Sequence, residues 1–209
     1  MKVMYIVLFV LVFCLFFIIP FALRANQVHP ITFVTPTIND YQFVSPPPPS
    51  QAMIGQISNI IGNVIKAERY TSATSSAVNN SPLLQGENLK TGQNSQVTLT
   101  LMSQLSATLE QNAALSLTNS LLPNILITQT DGQVIYQIAS SSASIRTLHL
   151  LIRPALGRFE VTKNDNDILL IGSGQAAYED RNNTTHLITL REDRRFYFDD
   201  IRRTYRFIR

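Results

Sequence analysis

The stretch Gln96-Val97-Thr98-Leu99-Thr100-Leu101 places an apolar residue at every second position and a polar one between. A period of two belongs to a strand with one dry face and one wet face; a helix would scatter these side chains around its axis. Leu105–Leu109 repeats the pattern, as do Leu115–Leu117 and Val134–Ile138. Leu148–Ile152, Arg158–Val161, Ile168–Ile171, Leu187–Leu190 and Arg195–Phe198 are further short candidates. Gly92–Ser95, Asp131-Gly132, Lys163–Asp167 and Asp180–Asn183 separate these runs with residues that favour turns. Asp131-Gly132, between two β-prone runs, predicts a hairpin turn. Turns recurring about every 8–12 residues predict an all-β fold of short stacked strands, a sandwich or a β-helix-like roll.

One segment contests this. Ile54, Ile57, Ile60, Ile61, Val64 and Ile65 recur at helical spacing. Gly55 and Gly62 fall inside it, and each costs a helix about 1 kcal/mol. Strands are therefore expected across Ala52–Ile57 and Val64–Arg69.

The body is preceded by two segments of other character. Val3–Leu23 is an uncharged, mostly large and apolar run. About 20 such residues cross a ~30 Å hydrocarbon layer as a helix, the form that pairs every backbone group within one segment. Residues 1–24 are read as a transmembrane anchor; the alternative is a signal peptide cleaved near Ala25, with secretion. Cys14, the one cysteine, lies inside the run, so neither an intrachain disulfide nor a multi-Cys zinc site is available. Residues 25–51 contain Pro30, Pro36 and Pro46–Pro49 and read as a Pro-rich linker, extended at about 3.1 Å per residue in its proline block. Only Met1 and Lys2 precede the apolar run, so the body is expected outside the cytoplasm, at the cell membrane on a single pass.

Leu84-Gln85-Gly86-Glu87-Asn88-Leu89-Lys90-Thr91-Gly92-Gln93-Asn94-Ser95, followed by the alternating strand, resembles the core motif of the bacterial FecR-type domain. That motif reads Leu-x-Gly-Asp-x-Leu-x-Thr-Gly-x-x-Ser, with Glu87 standing here for the Asp. Gly62–Ile65, Leu109–Leu117 and Gly132–Val134 are similar to the family's neighbouring segments. Met102-Ser103-Gln104, Leu156–Val161 and Leu190–Asp193 depart from it. The resemblance covers about 52–200 and implies an extracytoplasmic β-rich sensing or binding module. Family members that regulate sigma factors carry a cytoplasmic domain before the span, so no sigma-factor partner is expected here. Gly86 and Gly92 suit positions of positive φ, Thr91 suits a turn cap, and Glu87 suits acceptance of turn amides. All four are expected to be structural.

No catalytic set is legible. His29 lies in the linker, and His149 and His186 lie in strand-like runs. Neither a Gly-x-Ser-x-Gly elbow nor a His-Glu-x-x-His helix is present. Asp165-Asn166-Asp167 suggests calcium, but positions 6 and 12 of a calcium loop would be Leu170 and Ala176, so it reads as a turn. No enzyme activity, cofactor or metal is expected.

Residues 191–209 carry 7 Arg against 4 acids, whereas 51–190 carry 8 basic against 9 acidic groups. The net charge of +3 therefore belongs to the tail and is no argument for nucleic acid. Arg194, Arg195, Arg202, Arg203, Arg206 and Arg209 are the candidate contacts for an anionic partner. From Ile201 onward, Ile201, Tyr205 and Ile208 would share one face of a helix, and Arg202, Arg206 and Arg209 another. A solvated, internally paired edge is the alternative. The expected function is a membrane-tethered, non-enzymatic binding or sensing module for a protein or envelope polymer. The alternative is a structural or assembly component of the cell envelope.

Overall fold

The structure is a computed structural model that describes residues 52–69 and 73–208. The expected anchor at 1–24, the linker at 25–51, and Arg209 lie outside the described residues. Every regular element among the described residues is a strand. In chain order they are β1 (Gly55–Ile61), β2 (Val64–Ala67), β3 (Thr74–Ser76), β4 (Pro82–Leu83), β5 (Asn88–Thr91), β6 (Gln96–Leu101), β7 (Leu105–Leu109) and β8 (Ala114–Asn119). There follow β9 (Ile125–Ile138), β10 (Ala143–Arg146), β11 (Leu150–Pro154), β12 (Gly157–Asn164), β13 (Asp167–Ile171), β14 (Gly174–Glu179), β15 (Thr185–Leu190), β16 (Arg195–Asp199) and β17 (Thr204–Ile208).

The strands form two rows. One runs β4–β1–β6–β7–β9–β12–β13–β16–β17 and is antiparallel throughout. The other runs β3–β2–β5–β8–β9–β10–β11–β14–β15 and is antiparallel except between β9 and β10. In β6, Val97, Leu99 and Leu101 are fully buried while Gln96, Thr98 and Thr100 are half-buried, the face pattern its period of two requires. Buried side chains of both rows belong to one core. Tyr178 of β14 and Phe198 of β16, from different rows, meet there with ring centroids 5.1 Å apart.

Strand β9 belongs to both rows. Its first half pairs with β8 and β10, its second with β7 and β12. Ile125, Ile127 and Gln129 are buried, then two exposed residues, Thr130 and Asp131, shift the phase, and Gly132, Val134, Tyr136 and Ile138 are buried. The chain thus crosses from one row to the other without stopping, and Ala143 returns beside Ile125 in parallel. Parallel neighbours need a long crossover; here the second half of β9 supplies it. The predicted Asp131-Gly132 hairpin is therefore wrong: Gly132, at φ 71°, is the bend within a continuous strand. A Cβ there would sit 2.4 Å from the Ala113 Cα, so glycine is required by both conformation and space.

The bend has a polar lock. The buried Gln129 side chain donates from Nε2 to the Gly132 carbonyl at 2.8 Å and the Val161 carbonyl at 3.1 Å. Its Oε1 accepts from the Tyr136 hydroxyl at 2.9 Å. Burial holds the Tyr136 phenol well above its ordinary titration range.

The contested N-terminal segment is extended, as β1 and β2. An irregularity between Ser58 and Ile61, with Asn59 at φ 52°, breaks the period of two and creates the helix-like spacing of Ile57, Ile60 and Ile61. The expected helix from Ile201 onward is also corrected. The chain turns after Asp199 and returns as β17, antiparallel to β16. Tyr205 and Phe207 face the same way as Phe196, while Arg206 lies across Tyr197.

Gly132→Ala should destabilise the protein by about 2–5 kcal/mol, combining positive-φ strain with overpacking. Gly157→Ala, at φ 109° with nothing within 4 Å of the added Cβ, should cost the strain alone. Tyr136→Phe leaves the Gln129 carbonyl unpartnered and should cost about 1–3 kcal/mol. Urea unfolding of the three variants checks the ranking.

Candidate functional site

The family-like motif residues are built into backbone joints. Leu84 N–H donates to Glu87 Oε2 at 2.7 Å, and Lys66 Nζ lies 3.4 Å from Glu87 Oε1. The buried Thr91 hydroxyl donates to the Glu110 carbonyl at 2.5 Å and accepts from the Ala113 N–H at 2.9 Å. Thr91 thus ties β5 to the turn before β8 rather than capping its own turn. Gly86 is at φ 89°, as expected, but Gly92 is not in the left-handed region; Asn94 at φ 53° takes that conformation in the turn. The bonds of Glu87 and Thr91 join backbone segments around β5.

The chemistry lies at the other end of the chain. Four turns converge on one side: β10–β11 with Leu148 and His149, β12–β13 with Asp165 and Asn166, β14–β15 with Arg181 and Asn183, and β16–β17 with Asp200, Ile201 and Arg203. With Lys163 at the end of β12, they line a cleft of about 490 Å³. Binding groups commonly sit on loops held by a rigid scaffold. A second hollow of about 330 Å³ shares Leu148, His149 and Arg203 as its wall.

Asp200 is the anchor of the cleft. Its backbone N–H donates to the Asn166 carbonyl at 2.7 Å, turning the side chain inward. Asp200 is 3% exposed and Lys163 8% exposed. The carboxylate meets His149 Nδ1 at 3.1 Å through Oδ1 and Lys163 Nζ at 3.9 Å through Oδ2. Lys163 Nζ also donates to the Asp165 carbonyl at 2.5 Å. A buried carboxylate is tolerable only with such partners. It compensates Lys163, leaving Arg181 and Arg203 as the cationic groups of the rim. Leu148 and Ile201 stand beside them, 73% and 56% exposed.

The two arginines brace neighbouring turns. Arg181 donates to the Ile201 carbonyl at 2.9 Å, while Arg203 reaches back to the Glu179 and Asp180 carbonyls at 3.4 and 3.3 Å. Asp180 completes the β14–β15 turn, accepting from the Asn182 and Thr184 N–H groups at 2.8 and 2.9 Å and meeting His186 Nε2 at 2.9 Å. The hydrogen bond with His186, then the backbone amides, hold its carboxyl below the usual range.

The tail arginines do not form one patch. Arg203 lines the cleft, and Arg202 lies 3.7 Å from Asp199. The Arg206 guanidinium sits 4.5 Å from the Tyr197 ring centroid on the outer face. Arg194 and Arg195 are exposed at the opposite end of the hairpin, because Arg195 pairs with Ile208 and Asp199 with Thr204. His149 lies in a turn, not in the strand expected from its flanks. Lys163 and Asp200 were not singled out by sequence; a lysine ending an alternating run and paired acids opening a turn look like ordinary surface charge. Among the described residues no group of three or more His, Cys, Asp or Glu is arranged to hold a metal.

No family model matches the chain, and no curated protein matches it. Two crystal structures of a putative anti-sigma factor from Parabacteroides distasonis ATCC 8503 are similar, at TM-scores of 0.48 and 0.47 and identities of 11% and 12%. Each similarity covers 58% of this chain and 58% of that chain.

Because folding lowers the Asp180 pKa, its stabilising contribution is fully present above the ordinary Asp value and is lost as pH falls through the folded one. Asp180→Asn should therefore be less stable than wild type near neutrality, with the gap closing below about pH 4. Thermal unfolding across that range measures the gap.

Proposed function

We propose that this chain is a FecR-like extracytoplasmic binding module, tethered to the membrane by residues 1–24 and held off it by the linker at 25–51. It binds through the four-turn cleft and does no chemistry on what it holds. The convergence of turns from both rows around Asp200 carries this reading. A rigid β scaffold presents these loops, the arrangement that suits recognition. The walls offer cationic, amide and imidazole groups in excess of the Asp165 and Asp200 carboxylates, flanked by exposed Leu148 and Ile201. That chemistry suits a carboxylate- or phosphate-bearing envelope polymer with some apolar body.

Titration calorimetry of the full chain in detergent, with a hexuronate oligosaccharide and a glycerol phosphate oligomer, tests the cleft. At least one should bind, and His149→Ala combined with Arg181→Ala should weaken it tenfold or more while the circular dichroism stays that of a β protein. Binding of neither, unchanged binding in the double variant, or turnover of the bound polymer overturns the reading. Alkaline phosphatase fused after residue 50 should be active in a bacterial host; an inactive fusion rejects the topology.

A further inference from the structure

The two ends of the strand rows differ. At one end the rows stop with β3 and β4, three and two residues long, and β4 begins with Pro82. Short strands and proline are the usual means of blunting a sheet edge. At the other end the antiparallel row stops with β17, five residues long and exposed at every position. Among the described residues no strand pairs with its far side, so its N–H and C=O groups there have no described strand partner.

The side chains of β17 divide by face. Tyr205 and Phe207 continue the inward aromatic run: Tyr205 stacks on Phe196 at 5.5 Å and Phe207 meets it edge-on at 5.6 Å. Phe196 is 1% exposed, whereas Tyr205 and Phe207 remain 44% and 38% exposed. The outward face carries Arg206, held over Tyr197. The hairpin's acids are engaged within the protein: Asp200 meets His149 and Lys163, and Asp199 accepts from the Ile201 and Arg202 N–H groups. On the outward side of β17 Arg206 stands between Thr204 and Ile208, with Asp167 beyond Tyr197, whose hydroxyl donates to it; the inward side is aromatic.

We propose that β17 is a docking edge for an extended segment of a partner polypeptide that alternates acidic and apolar residues. Its backbone pairs with Thr204–Ile208. Its apolar side chains cover Tyr205 and Phe207, and its acidic ones lie opposite Arg206. A second copy of this chain is the poorer fit, because antiparallel self-pairing centred on Arg206 sets Arg206 against Arg206. None of Thr204–Ile208 lines the cleft, so either can fail alone.

The probe is a fluorescein-labelled nine-residue peptide alternating Glu and Val, titrated into the full chain in detergent with anisotropy as readout. Matched peptides carry Lys for Glu, or Pro at the central positions. The Glu–Val peptide should bind at least tenfold more tightly than either, and hydrogen exchange at 204–208 should slow at least tenfold. Arg206→Gln should weaken it severalfold, and Arg206→Glu should reverse the charge preference. Equal binding of the Glu–Val and Lys–Val peptides, equal binding of the proline peptide, or unchanged exchange at 204–208 overturns the proposal. So does a dimer through β17 that the Glu–Val peptide fails to displace.

Discussion

A single buried amide holds the place where the two strand rows become one structure. Gln129 sits where β9 changes phase, and each of its bonds joins something different. One reaches the bend at Gly132, one the neighbouring strand at Val161, and one the hydroxyl of Tyr136 in the second half of β9. A strand passing from one row to another must break its ladder somewhere, and an unpaired carbonyl in a dry core is costly. Gln129 meets that cost with one side chain. Without the phase shift, Val134, Tyr136 and Ile138 would face solvent, because a one-residue slip inverts every later side chain.

The order imposed by β9 reaches the cleft. Once β10 returns beside β9, the remaining chain lays down strands in pairs, two to each row in turn. The turns closing these pairs fall on one side, and Asp200 gathers three of them through His149, Lys163 and the Asn166 carbonyl. Arg181 and Arg203 join the fourth. The cleft is thus a by-product of strand pairing, sharpened by one buried carboxylate.

Much of the scaffold was legible because alternation is a local property. Val97–Leu101 and Leu105–Leu109 declare their buried face with no knowledge of their neighbours. Asp131-Gly132 misled because a turn-forming pair marks a bend equally well, and only the pairing partners on either side tell the two apart. Ile201–Ile208 misled because its helical spacing spans a turn followed by a strand. The site was nearly silent. Lys163 and Asp200 are 37 positions apart in a chain of ordinary surface residues, and burial alone makes them unusual. The arginines drew notice as a cluster in sequence, yet a hairpin separates its members, placing Arg195 and Arg202 at opposite ends.

Both rows follow chain order from β5 onward, with no later strand inserted between earlier ones. Among the described residues, no strand pairing spans a wider gap than that between Gln56 and Thr100. Closing loops of that size is modest in entropy, since the cost rises only with the logarithm of length. Each newly synthesised pair therefore meets a finished edge on which to add, and the molecule can assemble in the direction of translation. The reverse also holds: loss begins where addition stopped, so the terminal hairpin can peel away while the strands around β9 stay paired.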